Sequence, residues 1–595
     1  MLAGRALLDF ARSERGWGLR LRTTVGVAAL LAGAAAIAQD RSPESILPPG
    51  FDQPATPAPA PSSAPSQAAP APSATAALPE GTPSPSPSPS ASPSPMSAAE
   101  LAEYEMPAFA RRSLDRVGVA DAFTANAFGD ADGRWLETLM RRTAAPLPSR
   151  WLSITLRRML MSAVETPAGV NGADFAAERA WLLLRMGESV AARALVEGVD
   201  LDNATPKLSQ VWMQAMLATG DPAGLCPMTP LALAREPERG WVMAQAMCAA
   251  LAGPAGSARP LLAQARRRRI AEGVDLTLAQ KVMGAGLDSR QAVTVEWEPV
   301  TELTAWRWGL ATATGVTVPD TLYDTVGPQI SGWRAQAPAI PLADRVAPAE
   351  RAATMGVLSS AALVDLYASA DELDDTPSAL AAVANDLRTA FTASDAGARK
   401  AAIEALWKGG GYARLILTAT AAARLPVLRD DAEADRLVAA MLSAGLDRPA
   451  ARWAGSVPEG GDAWGMLLLA DPDGGSRVSY GSVSGYSPKE NAERKRRLFF
   501  AGLAGLGRLS PDDVERGAAA LDVKIGARNA WTRAIDRAAS TEQAGTVVLL
   551  AAIGMQTPAW SGVPAEALYH AVAALRAVGM DGEARMIAAE AIARG

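Results

Sequence analysis

Apolar and polar residues follow a helical period along most of the chain after Ser97. A first helix is predicted at Ser97–Glu100, because a serine followed three residues later by a glutamate fits an N-terminal capping box. At Thr205-Pro206 and Ser510-Pro511 a capping residue precedes a proline, as at many helix starts. An Ala- and Leu-rich composition with only 5% aromatic residues also favours helix over sheet. The pattern predicts an all-α chain.

Tryptophans recur with a period near 30 residues in the first half of the chain. Trp151, Trp181, Trp212 and Trp241 are 30, 31 and 29 residues apart, and each is interpreted as the start of an apolar helical stretch. A period of this length suits two short helices and two turns. The spacing therefore predicts helical hairpins in tandem.

A second signature lies in the predicted turns. Gly187, Gly253 and Gly579 are each followed five and six residues later by Ala and Arg, in "GESVAAR", "GPAGSAR" and "GMDGEAR". The segment "GLDRPAAR" from Gly445 repeats the order with one extra residue. Glycine can take the left-handed conformation that ends one helix, and a small alanine lets the next helix pack closely.

This turn resembles that of the tetratricopeptide-type helical repeat. The matching positions are Gly187 with Ala192, Gly253 with Ala258, and Gly579 with Ala584. The resemblance covers roughly residues 151–268 and the last 30 residues, and the middle is assumed by continuity. It implies an α-solenoid of stacked helical hairpins with a concave face.

Two interruptions divide the helical pattern. Residues 291–348 begin with "QAVTVEWEP", which suggests a short strand or extended crossing, and continue with many Pro, Gly and β-branched residues. This segment is predicted to be an irregular connection between an N-terminal repeat region, 97–290, and a C-terminal one, 349–595. The second interruption is a Gly/Ser/Tyr loop at 471–488.

The loop at 471–488 is a candidate binding loop. Tyr480 and Tyr486 lie on a Ser/Gly frame, and tyrosine supplies contact area at low entropic cost. A disordered insertion is the alternative interpretation.

The chain begins with the pattern of an export signal at 1–38. Five arginines precede the apolar stretch Val25–Ala38, which ends in the small-residue pattern of a cleavage site. Its 14 residues fall short of the roughly 20 that a membrane span needs, so cleavage after Ala38 is expected. An uncleaved signal that anchors the chain in the inner membrane, facing the periplasm, is the alternative.

Residues 39–96 form a Pro/Ser/Ala-rich segment. Between Arg41 and Met96 lie 17 of the 43 prolines, which favour extended polyproline II without a core. A disordered linker is predicted, and a ligand for a proline-recognition domain and an O-glycosylated stalk are the alternatives.

Charge and cysteine content limit which partners and which cellular compartment are expected. Removal of the signal would leave 52 basic and 61 acidic residues, which disfavours nucleic acid and anionic membrane surfaces as main partners. Membrane contact is expected only if the signal is retained as an anchor. Cys226 and Cys248 are either a disulfide, which export would permit, or two buried thiols.

Candidate chemistry is sparse. His570 is the only histidine, and with two cysteines it offers neither a common zinc site nor an evident triad. It is interpreted as a helix-face residue. Carboxylates are plentiful, and helical solenoids accompany peptidoglycan-cleaving lytic transglycosylases, but that family's Glu-Ser motif is not found in this sequence. No catalytic residue, cofactor or metal site is predicted.

Two basic clusters lie on predicted helices, "ARRRRI" at 265–270 and "ERKRRLFF" at 493–500. Both are interpreted as solvated faces or ends of helices. Binding to an acidic partner or to a headgroup layer is the alternative.

These features predict a periplasmic or exported binding or scaffolding protein of the cell envelope that engages a protein partner through an α-solenoid surface. The first alternative is an envelope enzyme that acts on peptidoglycan or polysaccharide with a carboxylate general acid. The second is a signal-anchored structural subunit of an envelope machine.

Overall fold

A computed structural model describes residues 112–253, 257–286, 294–372, 377–474 and 477–595. The export signal, the Pro-rich linker and the helix start at Ser97 lie outside the described residues. The described ranges contain 27 α-helices and one pair of two-residue strands. The prediction of an all-α fold of stacked helices is confirmed.

The described chain starts with a strand, two helices and a second strand. They are β1 (Arg116–Val117), α1 (Gly133–Arg142), α2 (Arg150–Met161) and β2 (Val164–Glu165), with β1 and β2 antiparallel.

Helical hairpins follow. They consist of α3 (Gly172–Arg185), α4 (Ser189–Glu197), α5 (Pro206–Ala218), α6 (Thr229–Arg235), α7 (Arg239–Leu251), α8 (Ala258–Arg267) and α9 (Gly273–Gly286), with 3₁₀ turns at Leu201–Asn203 and Pro222–Leu225. Thr205 caps α5 through its side chain, and Pro206 is the first helical residue, as predicted.

The segment predicted to be an irregular connection is largely helical. It contains α10 (Ala305–Ala313), α11 (Asp320–Tyr323), α12 (Ile330–Gln336) and the start of α13 (Leu342–Met355). The prediction was wrong because two of its prolines, Pro319 and Pro341, sit at N-caps, where they do not interrupt a helix. No strand forms in 294–299, the described part of "QAVTVEWEP".

The remaining helices complete the array. They are α14 (Ser360–Ala368), α15 (Ser378–Thr392), α16 (Ala396–Trp407), α17 (Tyr412–Ala422), α18 (Ala434–Ser443), α19 (Asp447–Ala451), α20 (Asp462–Ala470), α21 (Tyr480–Gly485), α22 (Ala492–Gly505), α23 (Pro511–Leu521), α24 (Ala530–Ser540), α25 (Ala544–Gly554), α26 (Ala565–Ala577) and α27 (Asp581–Arg594), with 3₁₀ turns at Ser369–Glu372 and Trp560–Gly562.

The periodic tryptophans mark helices but not helix starts. Trp181, Trp212 and Trp241 lie on α3, α5 and α7, and Trp151 lies on α2. Trp151 and Trp241 are in a first turn, whereas Trp181 and Trp212 begin apolar stretches further along their helices. All three tryptophans of α3, α5 and α7 are buried, because they pack into the hairpin core.

The turn signature has a consistent geometry. Its four glycines have positive φ, which ordinary residues rarely adopt: Gly187, Gly253, Gly445 and Gly579. The matched alanines are fully buried: Ala192, Ala258 and Ala584.

The arginines of this signature hold adjacent turns together in three of the four cases. Arg193 pairs with Asp221 at 2.8 Å, Arg452 donates to the carbonyl of Ala423 at 2.6 Å, and Arg585 pairs with Asp447 at 2.9 Å. These bonds connect neighbouring turns, and the bond to Ala423 satisfies a carbonyl at a helix end. Arg259, the fourth, has no such partner among the described residues.

A second layer packs on the hairpin turns. Helix α12 contacts α4, and α10 contacts α5. A Cβ on Gly332 of α12 would lie 2.4 Å from the carbonyl oxygen of Gly187, so only glycine permits this approach. The Trp333 indole donates to the carbonyl of Leu184 at 3.2 Å. The return of α10–α12 over α3–α5 makes the array two layers thick in this region.

Helix α2 is the point where the two ends of the array meet. It contacts α3 and α4 near the start of the chain, α13 in the middle, and α25 and α27 near the end. We call α2 the hub helix. The stack of hairpins is therefore closed by contacts between its first and last helices.

The N-terminus of the hub helix binds the carboxylate of Glu590, a buried residue of α27. Five groups donate to this carboxylate: the Ser149 hydroxyl (2.7 Å), the backbone N–H groups of Arg150 (2.8 Å) and Trp151 (3.1 Å), the Trp560 indole (3.3 Å) and the Arg594 guanidinium (2.6 Å). A negative charge at this helix end also complements the helix dipole.

Arg150 joins the hub helix to two other helix ends. Its guanidinium donates to the carbonyls of Ser443 at 3.1 Å and Leu358 at 2.9 Å, and also to that of Ala353. The side chain is 2% exposed, and burial lowers its pKa from the ordinary value.

The C-terminal end of the hub helix is held by a second buried arginine. Arg179 of α3 donates to the carbonyls of Ser162 at 2.9 Å and Val117 at 2.7 Å. Burial lowers the pKa of Arg179 to about 9. Both ends of the hub helix are thus fixed by buried charged side chains.

We expect Gly332→Ala to destabilise the protein by about 1–3 kcal/mol, because the added methyl group would overlap the Gly187 carbonyl. Gly284→Ala in α9 is the matched control, since nothing lies within 4 Å of the added Cβ there. Alanine should stabilise that helix by up to about 1 kcal/mol. Urea unfolding measures both changes, and a neutral Gly332→Ala would contradict the two-layer contact.

Glu590→Gln should lower the free energy of unfolding by about 3 kcal/mol. The neutral amide leaves the charge of Arg594 uncompensated, and its own N–H groups would face the N–H and O–H donors that surround Glu590. Glu493→Gln is the control, since Glu493 is 80% exposed and its pair with Arg497 contributes only about 0.5 kcal/mol. Equal urea midpoints for the two variants would show that the Glu590 carboxylate does not contribute to stability.

Candidate functional site

A groove of about 590 Å³ lies where α22 and α26 begin and α23 ends. Its charged lining residues carry both signs: Glu493, Asp522 and Glu566 are acidic, and Arg494 and Arg497 are basic. Its apolar lining includes Leu498, Val523 and Val563. We call it the α22–α26 groove.

Two helix N-termini open into this groove. The N-cap residues of α22 and α26, Asn491 and Pro564, make no side-chain capping bond to the first turn. Glu493 and Glu566 lie in those first turns, where negative charge is favoured. Glu566 accepts from the backbone N–H of Lys524 at 2.9 Å, which ties the loop after α23 to α26.

The two arginines of the groove differ in their partners. Arg494 donates to the carbonyl of Val563 at 2.9 Å and to that of Trp560, so it holds the segment before α26. Arg497 pairs with Glu493 at 2.9 Å, and its side chain is 41% exposed. Arg497 is therefore the basic group at the rim that an incoming molecule can reach.

The α22–α26 groove suits a short polypeptide segment. Its volume lies in the range of ligand pockets, and apolar side chains stand beside carboxylates, a guanidinium and backbone N–H groups. A peptide offers apolar side chains together with amide donors and acceptors that such a lining can satisfy.

A second groove, of about 610 Å³, lies beside the hub helix. It is lined by residues 122–124, by Thr155 and Arg158 of α2, and by the turns before α25 and α27. Arg158 pairs with Glu583 at 3.2 Å in this lining. This groove lies between the first helices of the described array and helices α25–α27.

The basic cluster on α22 is used inside the fold. Lys495 is buried and pairs with Asp462 at 2.7 Å, and Arg496 donates to the carbonyl of Tyr486 at 3.1 Å. Together with the partners of Arg494 and Arg497, these contacts engage all four basic residues. The prediction of a solvated face was wrong for Lys495, because Asp462 from α20 neutralises it in the interior.

The basic cluster on α8 is on the surface. Arg266, Arg267, Arg268 and Arg269 are all exposed. The one ion pair that they form with a described residue joins Arg269 to Glu272 at 3.8 Å, and both side chains are well exposed. For this cluster the structure has the solvated helix end that the sequence predicts.

The tyrosines of the predicted binding loop are in different environments. Tyr486 is 0% exposed; its hydroxyl donates to Asp462 at 2.6 Å and its ring packs on Phe499. Burial and the nearby Asp462 charge raise the pKa of Tyr486. As a core residue it cannot contact a partner, which corrects its assignment to a binding loop. Tyr480 is half-buried at the start of α21.

Cys226 and Cys248 are joined by a disulfide, with Cα atoms 5.5 Å apart. The bond connects the 3₁₀ turn after α5 to α7, 22 positions later. On the loop-entropy model, closing a loop of this size stabilises the fold by about 3 kcal/mol.

His570 lies on α26 and is 8% exposed. Its Nδ1 is 3.4 Å from a carboxylate oxygen of Asp536, and its ring meets Trp531 and Tyr569 edge-on. The surroundings are those of a helix-face residue packed against aromatic side chains.

The described ranges contain neither a metal-binding cluster nor a membrane-spanning helix. No group of three or more His, Cys, Asp or Glu side chains there is placed to hold a metal ion. None of the helices described is both long and apolar enough to cross a bilayer.

Glu188 is a buried carboxyl with a strongly shifted pKa. Loss of hydration raises its pKa to about 7, although Arg157 of the hub helix pairs with it at 2.9 Å. A carboxyl with a raised pKa is typical of a general acid. The Glu188 side chain is only 5% exposed, however, and belongs to the lining of neither groove.

No protein-family model matches the chain, and no curated protein or solved structure is similar to it. The function is therefore inferred from the chain's own residues and their geometry.

Glu188→Gln should change the pH dependence of stability. Below about pH 4.5 the carboxyl is protonated in both states; between 4.5 and 7 only the folded chain keeps the proton. Wild-type stability therefore falls with rising pH through this window, by at most about 1.4 kcal/mol per pH unit, and glutamine removes that slope.

Urea unfolding at pH 5, 6, 7 and 8 measures the effect. Between pH 5 and pH 8 the free energy of unfolding of Glu188→Gln should rise by about 2 kcal/mol relative to that of the wild type. Glu493→Gln, at an exposed site, serves as the control and should follow the wild-type slope. Parallel slopes for wild type and Glu188→Gln would contradict the raised pKa.

Proposed function

We propose that this chain is an exported binding or scaffolding protein of the cell envelope, a tetratricopeptide-like α-solenoid that engages a protein partner. The α22–α26 groove carries the proposal. It presents apolar side chains, both signs of charge and two helix N-termini to one peptide-sized space.

Two further observations support the compartment. Residues 1–38 have the charge and hydropathy pattern of an export signal. The disulfide between Cys226 and Cys248 is a bond that persists in oxidising compartments such as the periplasm. If the signal is cleaved, the chain is periplasmic; if it is retained, the same groove faces the periplasm from a membrane anchor.

A photo-crosslinking amino acid at Asp522, an exposed residue of the groove, should give a discrete adduct with a partner protein in intact cells. The same amino acid at Glu459, exposed and outside the groove, should give none. Arg497→Glu should reduce the Asp522 adduct at least fivefold, because it reverses the reachable charge at the rim.

Immunoblotting of cross-linked cells and mass spectrometry of the adduct provide the readout. Equal adducts at Asp522 and Glu459, or an Asp522 adduct that Arg497→Glu leaves unchanged, would contradict partner binding in the groove.

A further inference from the structure

One charged surface of the chain has almost no ion-pair partner among the described residues. Arg259 and Arg266–Arg269, at the start and end of α8, are exposed, and we call them the arginine surface. Within the described ranges, Arg269 alone of the five has an ion pair, to Glu272 at 3.8 Å, with side chains that are 86% and 70% exposed. Such a pair contributes little, so the five positive charges remain available.

Other arginines of similar sequence context are engaged. The counterparts of Arg259 in the turn signature, Arg193, Arg452 and Arg585, each bond to a neighbouring turn or helix end. The second basic cluster, on α22, is also bonded internally. The arginine surface is therefore not explained by the role that arginine has elsewhere in this fold.

Helix α8 itself is shallowly packed. It contacts α7, and its fully buried side chains are two alanines, Ala258 and Ala265. Leu262 is half-buried and lies between Arg259 and Arg266 at the i, i+3, i+7 spacing of one helix face. Leu262 adjoins the apolar side formed by Ala258 and Ala265, and a surface helix with arginines on its polar side and leucine on its apolar side suits a membrane interface.

We propose that the arginine surface binds the anionic headgroups of a phospholipid bilayer. Guanidinium groups form charge-assisted hydrogen bonds to phosphates, while Leu262 contacts the boundary of the acyl region. A bilayer accepts charges spread along a single helix, whereas an acidic peptide alone would leave Leu262 without an apolar partner.

The overall negative charge of the chain affects how it is oriented on an anionic bilayer. With a formal net charge of -6, the chain as a whole is repelled by anionic lipid, which favours orientations that turn the arginine surface toward the bilayer. The sequence expectation that charge disfavours membrane surfaces rested on the sum over the chain. The local arrangement of five arginines reverses it for this one surface. This inference does not depend on the α22–α26 groove.

Co-sedimentation of the full chain with vesicles tests the proposal. The readout is the ratio of partition into phosphatidylglycerol/phosphatidylcholine vesicles to partition into pure phosphatidylcholine vesicles. The five arginines and the apolar stretch of residues 1–38 are the same in wild type and variant, so the change in this ratio between the two proteins isolates the contribution of the substituted arginines. Each arginine near an anionic surface increases binding to it about fivefold. The double variant Arg266→Gln with Arg267→Gln should therefore lower the partition ratio about 25-fold.

The matched control is Arg436→Gln with Arg516→Gln. These arginines are 58% and 62% exposed, but each pairs with a carboxylate one turn away. The control ratio should stay within about twofold of wild type. Thermal melts that coincide for all three proteins show that the comparison is made on folded chains.

Three results would overturn the proposal. The first is a wild-type ratio near one at low salt, and the second is a ratio that Arg266→Gln with Arg267→Gln leaves unchanged. The third is binding to polyglutamate without binding to anionic vesicles, which would assign the arginine surface to an acidic protein. None of these results bears on the Asp522 adduct, so the two proposals fail separately.

Discussion

The carboxylate of Glu590 on the N-terminus of the hub helix is the contact on which the closed arrangement depends. A buried negative charge is costly unless it is fully hydrogen-bonded, and here five donors from three parts of the chain surround it. Those donors fix α27 against α2. Because Arg150 in turn bonds the ends of α13 and α18, the position of one carboxylate limits the position of helices from the whole array.

The features that the sequence revealed are those set by neighbouring residues. Positive φ at Gly187 and burial of Ala192 follow from local turn geometry, which a short motif encodes. The contact between Gly332 and Gly187 could not be predicted, because nothing near either glycine identifies the other. Glu590 likewise has a local partner in Arg594 four residues later, the pattern of an ordinary surface pair, and its buried role depends on residues 440 positions away.

The same limit applies to the candidate sites. The two basic clusters have similar composition, yet Lys495 is buried against Asp462 from another helix while Arg266 is exposed. The residues around Tyr486 in the sequence have the composition of a recognition loop. In the structure, however, Tyr486 lies in the core, where it contacts Phe499 and Asp462. Charge and aromatic content indicate which residues are able to bind. Only the packing of distant helices determines which of them are left free to do so.

The closure through Glu590 also sets an order for folding. During synthesis the hub helix is complete long before α27, because 440 residues separate Arg150 from Glu590. Until then the backbone N–H groups of Arg150 and Trp151 have only water or non-native partners, and the surface of α2 that α27 will cover is open. Contacts of such long sequence separation fold slowly and expose apolar surface while they wait. Helix α27 therefore completes the hub helix, and the nascent protein has to remain protected from aggregation until Glu590 has been made.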